Sequence, residues 1–212
     1  MITNTTPTPK LRADASRNRA RIIDAAREAF VEHGADVPFD EIARRAGVGN
    51  ATLYRNFADR RELIHHVTLS VLDRVVEHAE RAMAEEPDAF AALTRFAHAS
   101  ADERMGALCP LLSDHIDMND PEMADAKARL QETTTEVVAR AHESGQLRED
   151  VGVGDFVIAI TQLTRPLPGT KCLDIDQFVH RHLQLFLDGM QAPTRSALPG
   201  RAVTLEDLKP RA

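Results

Sequence analysis

This 212-residue sequence predicts an all-α protein. Apolar residues recur at steps of three and four over long stretches. No strand-like alternation of useful length interrupts them, and Pro and Gly divide the pattern into helix-sized runs. The composition agrees: 43% apolar and 28% charged residues describe an ordinary globular chain, long enough for one large or two small domains. Aromatics make up only 4%, with no Trp and the single Tyr54, which disfavours aromatic-rich β architectures and base-stacking platforms.

Residues 1–15 read as a disordered arm; the first ten are Thr/Pro-rich without an apolar core, so they do not read as a signal peptide. A first helix is expected over 16–33, where Ile22, Ala26 and Ala29 recur beside Ile23 and Phe30, with Gly34 following as a C′ residue. Pro38 suits the N1 position of a short second helix over 39–46. Gly47 and Gly49 flank Val48 and permit a tight turn into a third short helix over 51–57. Asp59 and Glu62 form an acidic capping box opening a long fourth helix, striped by Ile64, Val67, Val71, Val75 and Ala79 and ended near Pro87. Phe90, Leu93 and Ala97 carry a fifth run to about Glu103, and 106–115 is a short, Pro-interrupted piece. Met123, Ala126, Leu130, Thr134, Val137 and Ala141 mark a long helix stopped by Gly145. Phe156, Ile160 and Leu163 mark the next, ended by Pro166 and Pro168; Ile175, Val179, Leu183, Phe186 and Met190 mark the last. The expectation is about nine helices, arranged as a head over 16–62, a helical body over 63–191 and a tail over 192–212. In that tail Leu205 and Leu208 either dock on the body or stay loose.

Charge separates the head from the rest. Residues 1–62 carry eleven Lys/Arg against nine Asp/Glu, net +2, whereas the remainder is net −9. A mildly basic head on an acidic body suits a partner rich in phosphate, although small domains also differ in charge by chance. No apolar run reaches the roughly 18 residues of a membrane span. Cys109 and Cys172 lack the spacing of a zinc or redox pair, which fits a cytoplasmic chain with reduced thiols. HExxH, GxSxG and Gly-rich phosphate loops are missing, so no catalytic residue and no cofactor is expected. Glu62 and His65 make one ExxH unit, but a di-iron bundle needs two, and Glu62 already serves a helix cap. His180 and His182, two apart, point to different helix faces. No metal site is therefore expected.

The informative block is FDEIARRAGVGNATLYRNFADRREL over 39–63. Two helices of about two turns cannot each bury a face alone. Joined by AGVG, they must cross steeply against the first helix, which is the helix-turn-helix arrangement. Ile42, Ala43, Ala46, Val48, Leu53 and Phe57 supply the inner face. Asn50, Thr52, Tyr54, Arg55 and Asn56 are left outside, the residue types that reach base edges and phosphate oxygens. Arg60 and Arg61 sit by the positive start of the fourth helix, where a phosphate would be held. Tyr54 could instead be a core aromatic, and Arg44 and Arg45 a solvated face.

This block, with IIDAAREAFVEHG before it, resembles the tetracycline-repressor (TetR) family of bacterial transcriptional regulators, over about residues 17–65. The resemblance implies a three-helix DNA-binding head and a helical ligand-binding and dimerisation domain. It also implies a homodimer that leaves a pseudo-palindromic DNA operator when a small-molecule effector binds. By position it implies a recognition helix over 51–57 and DNA contacts from Arg45, Asn50, Ala51, Thr52, Tyr54, Arg55, Asn56, Arg60 and Arg61. The chain departs from the family where Val37 and Pro38 stand for a capping Thr or Ser, Gly49 for a capping Ser, and Asn50 for a common Lys. These departures leave open a helical ligand-binding protein with weak or lost DNA binding.

In the body, Phe90, Phe96, Met105, Leu108, Leu112, Met118 and Met123 could line an apolar cavity with His98, Cys109 and His115 as polar handles, or could be close-packed core. Phe156, Ile160, Leu163, Phe178, Phe186 and Met190 are the candidates for pairing with a second copy, against core packing as the alternative.

Overall fold

The computed structural model describes residues 9–112, 115, 117, 120–165, 178–194 and 196–208, and the side chains among them except those of 9–13, 15 and 109–111. Met118, Pro166, Pro168, Cys172 and Ile175 lie outside the described residues. Nine α-helices occur among those described: α1 Pro9–His33, α2 Phe39–Ala46, α3 Asn50–Asn56, α4 Arg60–Glu85, α5 Ala89–Asp102, α6 Met105–Leu112, α7 Pro121–Glu143, α8 Val153–Leu163 and α9 Val179–Met190. A single bridge, Leu147 to Gln191, is the extent of β pairing among them. No described helix is long and apolar enough to cross a membrane.

The chain forms two compact units that divide within α4, between Ser70 and Val71, the end of α6 from Leu111 belonging with the first. In the first unit α1 packs on α2 and α2 on α3. Its core is Ile22, Ala26, Phe30, Ile42, Leu53 and Phe57, each fully shielded from solvent. In the second unit α5 packs against α7, α8 and α9, and α8 also meets α7 and α9. Leu93, Phe96, Val137, Ala141, Phe156, Leu183 and Leu187 fill that core.

Helix ends follow their capping chemistry. Asp88 accepts the Ala91 N–H at 2.7 Å and Asp120 that of Met123 at 2.9 Å, ahead of Pro121 at N1. Asp59 accepts the Glu62 N–H at 2.8 Å, while Glu62 reaches back to the N–H of Ala58 at 2.6 Å rather than to that of Asp59. The expected capping box thus closes one residue further out.

Helix α2 spans the expected 39–46, whereas α3 and α6 are displaced from the expected 51–57 and 106–115, and the start of α1 and the role of Pro38 also differ. Helix α1 begins at Pro9 rather than at residue 16. Apolar periodicity is the wrong guide there, because Lys10, Leu11, Arg12, Ala13 and Ala15 are good helix formers without an apolar face, and Pro suits a helix start. Pro38 is the N-cap of α2 and not N1: its carbonyl accepts the N–H groups of Glu41 and Ile42, at 3.1 and 3.3 Å. Val37 and Ile42, both buried, then occupy the two positions of a hydrophobic staple.

Candidate functional site

The turn between α2 and α3 decides what α3 shows to solvent. Gly47 adopts φ 62°, a left-handed conformation that only Gly takes without strain, and its N–H bonds the Arg44 carbonyl at 3.2 Å. Val48 then donates to Ala43 at 3.0 Å, and the chain re-enters helix at Gly49, whose carbonyl receives Thr52 and Leu53 at 2.8 and 3.2 Å. Neither α2 nor α3 has a side-chain N-cap, as Pro38 and Gly49 require. The far end of α3 is closed by Arg19 of α1, whose guanidinium donates to the Asn56 carbonyl at 2.7 Å and lies 4.3 Å from the centre of the Phe57 ring.

With Leu53 turned fully inward, the other face of α3 is open. Ala51, Asn50 and Arg55 are exposed, Thr52 and Asn56 half-buried, and Tyr54 is 56% exposed. The Tyr54 ring lies 5.3 Å from that of Phe39, and its hydroxyl has no partner among the described residues. Arg60 also meets Phe39, its guanidinium 5.1 Å from the ring centre and donating to the Ala35 carbonyl at 2.5 Å. Phe39 therefore fixes both groups, a role sequence reasoning missed; its only signal was an aromatic directly after Pro38. Arg55 folds along its own helix, donating to the Ala51 carbonyl at 3.1 Å and the Thr52 hydroxyl at 3.0 Å. Asn56 donates to the Thr52 carbonyl at 2.7 Å, and Asn50 to Asp40 at 2.6 Å. Arg61 is exposed, without a partner among the described residues.

Arg45 differs from the outward placement expected of it. It is half-buried and ion-paired with Glu32 of α1 at 2.7 Å and Glu41 of its own helix at 2.8 Å. The same Glu41 takes both nitrogens of Arg44, and the two guanidiniums, Arg44 foremost, lower its carboxyl to about 2.

The second unit holds a cavity of about 310 Å³. Its wall is largely apolar: Val75 of α4, Phe96 of α5, Met105 of α6, Leu130 of α7, Phe156, Val157 and Ile160 of α8, and Leu205 and Leu208 of the tail. Ser100, Gln131, Thr134 and Thr161 add polar groups, and Lys127 the one formal charge on this lining. Of the residues expected to line a pocket, Phe96 and Met105 do so. Phe90, Leu108 and Met123 are instead packed in the core. His98 is tied to α9, meeting His180 nitrogen to nitrogen at 2.9 Å and Gln184 at 3.0 Å. Leu112 and His115 belong with the first unit, and the Cys109 side chain lies outside the described residues.

The residues expected to pair with a second copy divide. Phe156, Ile160 and Met190 are buried within the chain, the first two as cavity wall, because the inward faces of α8 and α9 are the ones that carry them. They correct that part of the expectation. Leu163 and Phe186 are half-buried and Phe178 is 45% exposed. Beside them the same elements expose Ile158 and Leu185, which sequence spacing did not single out.

Comparison with known proteins places this geometry. Residues 22–67 match the family model for bacterial regulatory proteins of the tetR family, and residues 86–192 the one for the C-terminal domain of SbtR-like transcriptional regulators. A TetR transcription regulatory protein of Mycobacterium vanbaalenii shares 30% identity and a TM-score of 0.62 over 86% of this chain and 99% of its own. A TetR transcriptional regulator of Streptomyces coelicolor shares 26% and 0.64 over 83% and 99%. An HTH-type transcriptional regulator of Staphylococcus aureus (strain USA300) is 38% identical over 69 residues, 32% of this chain. The match spans 37% of that curated relative's length.

Proposed function

Because the chain belongs to the tetR family of bacterial regulatory proteins, we propose that it is a homodimeric DNA-binding transcriptional regulator. In this reading it works in the cytoplasm as a repressor and leaves its operator when a small molecule enters the cavity. The observation that carries the reading is the outer face of α3. An exposed Tyr54 hydroxyl without a partner among the described residues lies by Phe39, which Arg60 also contacts, with Thr52, Arg55 and Arg61 on the neighbouring positions. Polar and basic groups gathered on one exposed helix face are what phosphate and base-edge contacts require.

One such head covers too few bases for useful specificity, so the reading includes two copies, with recognition helices about 34–36 Å apart on a pseudo-palindrome. The exposed apolar side chains Ile158, Phe178 and Leu185, with the half-buried Leu163 and Phe186, are the proposed pairing surface. Helix α4 belongs to both units and is the proposed carrier of the signal; coupling of about 1–3 kcal/mol would make a working switch. Regulation of this kind needs no catalytic residue and no cofactor.

The test is a gel shift on DNA flanking the chain's own gene, at fixed salt, with Tyr54→Ala and Arg61→Ala. Both variants are expected to bind at least tenfold more weakly with unchanged melting temperature; wild-type affinity in both would refute the reading. The uncapped starts of α2 and α3 favour one alternative, a ligand-binding protein of this fold that no longer holds DNA. That alternative gains if the wild-type chain binds this DNA no better than an unrelated fragment.

A further inference from the structure

A polar contact in the second unit joins two helices at residues 82 apart in the chain. His98 of α5 and His180 of α9 meet Nδ1 to Nδ1 at 2.9 Å. Their ring centres are 5.1 Å apart and their planes 24° apart, so the rings meet end to end, not face to face. Spacing along the chain, which led to no metal site being expected, cannot detect a pair made by two distant helices.

The outer nitrogens settle which tautomer each ring takes. His98 Nε2 lies 3.0 Å from the side-chain oxygen of Gln184, whose amide nitrogen is committed to Asp188 at 2.7 Å. His180 Nε2 lies 3.0 Å from a carboxylate oxygen of Asp102. Both partners are acceptors, so both Nε2 atoms carry hydrogen. Each neutral ring therefore has its lone pair on Nδ1, and the two lone pairs point at one another. Lone pairs 2.9 Å apart repel; a cation shared between them turns the contact favourable.

Anchoring the outer nitrogen on oxygen is also how proteins orient imidazoles that bind metal. An acceptor on the far N–H fixes the ring and makes the near nitrogen a better donor, most of all when that acceptor is a carboxylate, as Asp102 is for His180. Nitrogen donors of this kind suit zinc, copper and nickel, whereas magnesium and calcium prefer oxygen. Zinc–nitrogen bonds of about 2.0–2.1 Å in a tetrahedral site need the nitrogens roughly 3.3 Å apart, a small tilt from the present geometry. His180 is half exposed in the first turn of α9, where its ring can tilt and water can fill the remaining coordination positions. We propose that His98 and His180 form a two-histidine site for a divalent transition metal, zinc as the type case, which clips the start of α9 to α5. Gln184 and Asp102 are its positioning residues. His182 takes no part, because its Nδ1 is turned to the Phe178 carbonyl at 2.9 Å. The site shares no residue with the cavity, and the regulator reading does not depend on it.

The experiment titrates zinc chloride into full-length, tag-free protein by calorimetry near neutral pH, with magnesium chloride as the control. Wild-type protein is expected to bind zinc at least tenfold more tightly than His98→Gln and His180→Gln, and magnesium equally weakly in all three. Asp102→Asn is expected to keep the zinc stoichiometry and weaken affinity about tenfold, as loss of an outer partner does. A second readout, on the wild-type chain itself, is the nitrogen-15 spectrum of its histidines. Zinc is expected to move the Nδ1 resonances of His98 and His180 while their Nε2 atoms stay protonated. Zinc affinity equal in wild type and both histidine variants, or Nδ1 resonances that zinc does not move, would overturn the proposal and leave the pair holding a shared proton only.

Discussion

Two phenylalanines show how differently the two units use an aromatic ring. Phe39 in the head is in contact with two functional candidates, Tyr54 at 5.3 Å and the Arg60 guanidinium at 5.1 Å. Phe96 in the body stacks on Phe156 at 5.7 Å, and both rings look into the 310 Å³ cavity. In the head the ring is a filled joint that sets where polar side chains stand. In the body it is a wall whose other side is left for an occupant. A surface that must match a rigid duplex gains from fixed positions, whereas a receptor gains from apolar space whose shape its lining can adjust.

Substitutions can break or sharpen this contrast. The largest effect is expected from Phe57→Ala, which removes a fully buried ring and the perch of Arg19. It should destabilise the chain by about 4 kcal/mol in urea unfolding, and a loss below about 2 would mean the head is not close-packed. Ile160→Ala, at a residue already facing empty volume, should cost only about 2 kcal/mol, near the low end for such truncations. If it costs as much as Phe57→Ala, the cavity is not a real void in the native state.

Phe39→Leu keeps an apolar side chain but removes the joint. A stability loss of about 1 kcal/mol is expected, together with at least tenfold weaker operator binding, because Tyr54 and Arg60 lose their common support. Tyr54→Phe deletes only the hydroxyl. Operator affinity should fall about fivefold, near 1 kcal/mol, with stability unchanged within about 0.5 kcal/mol.

The smallest effect concerns pH. Arg44 and Arg45 hold the Glu41 carboxyl at about 2, below the usual carboxylate value of about 4.3. Its contribution is therefore complete above the ordinary range and is lost only as pH falls toward 2. Melting temperature should show no Glu41-dependent change between pH 5 and 9, and Glu41→Gln should flatten part of the acid limb below pH 4. An identical acid limb in that variant would contradict the assignment.

Much of the head was legible in the sequence, because its signals are local. The αL turn at Gly47, the inward Leu53 and Phe57, and the polar run between them are written in spacing and turn chemistry. What was not legible depended on partners far away in the chain. Arg45 resembled its outward neighbours, and its pairing with Glu32 of α1, beside that with Glu41 of its own helix, is what spacing could not show. Apolar periodicity identified an inner face for α8 but could not say whether that face met core, cavity or a second copy; Phe156 and Ile160 proved to be wall. Leu205 and Leu208 had no periodic pattern around them. Their place is set by Asp155 and two glycines some fifty residues earlier.

The account's central claim, that the open face of α3 grips phosphate and reads bases, is tested most directly by the salt dependence of binding to DNA flanking the chain's own gene, followed by fluorescence anisotropy of the native protein. A pair of heads gripping phosphates predicts an affinity that falls about a thousandfold from roughly 50 to 200 mM salt. An affinity that stays flat across that range would contradict it.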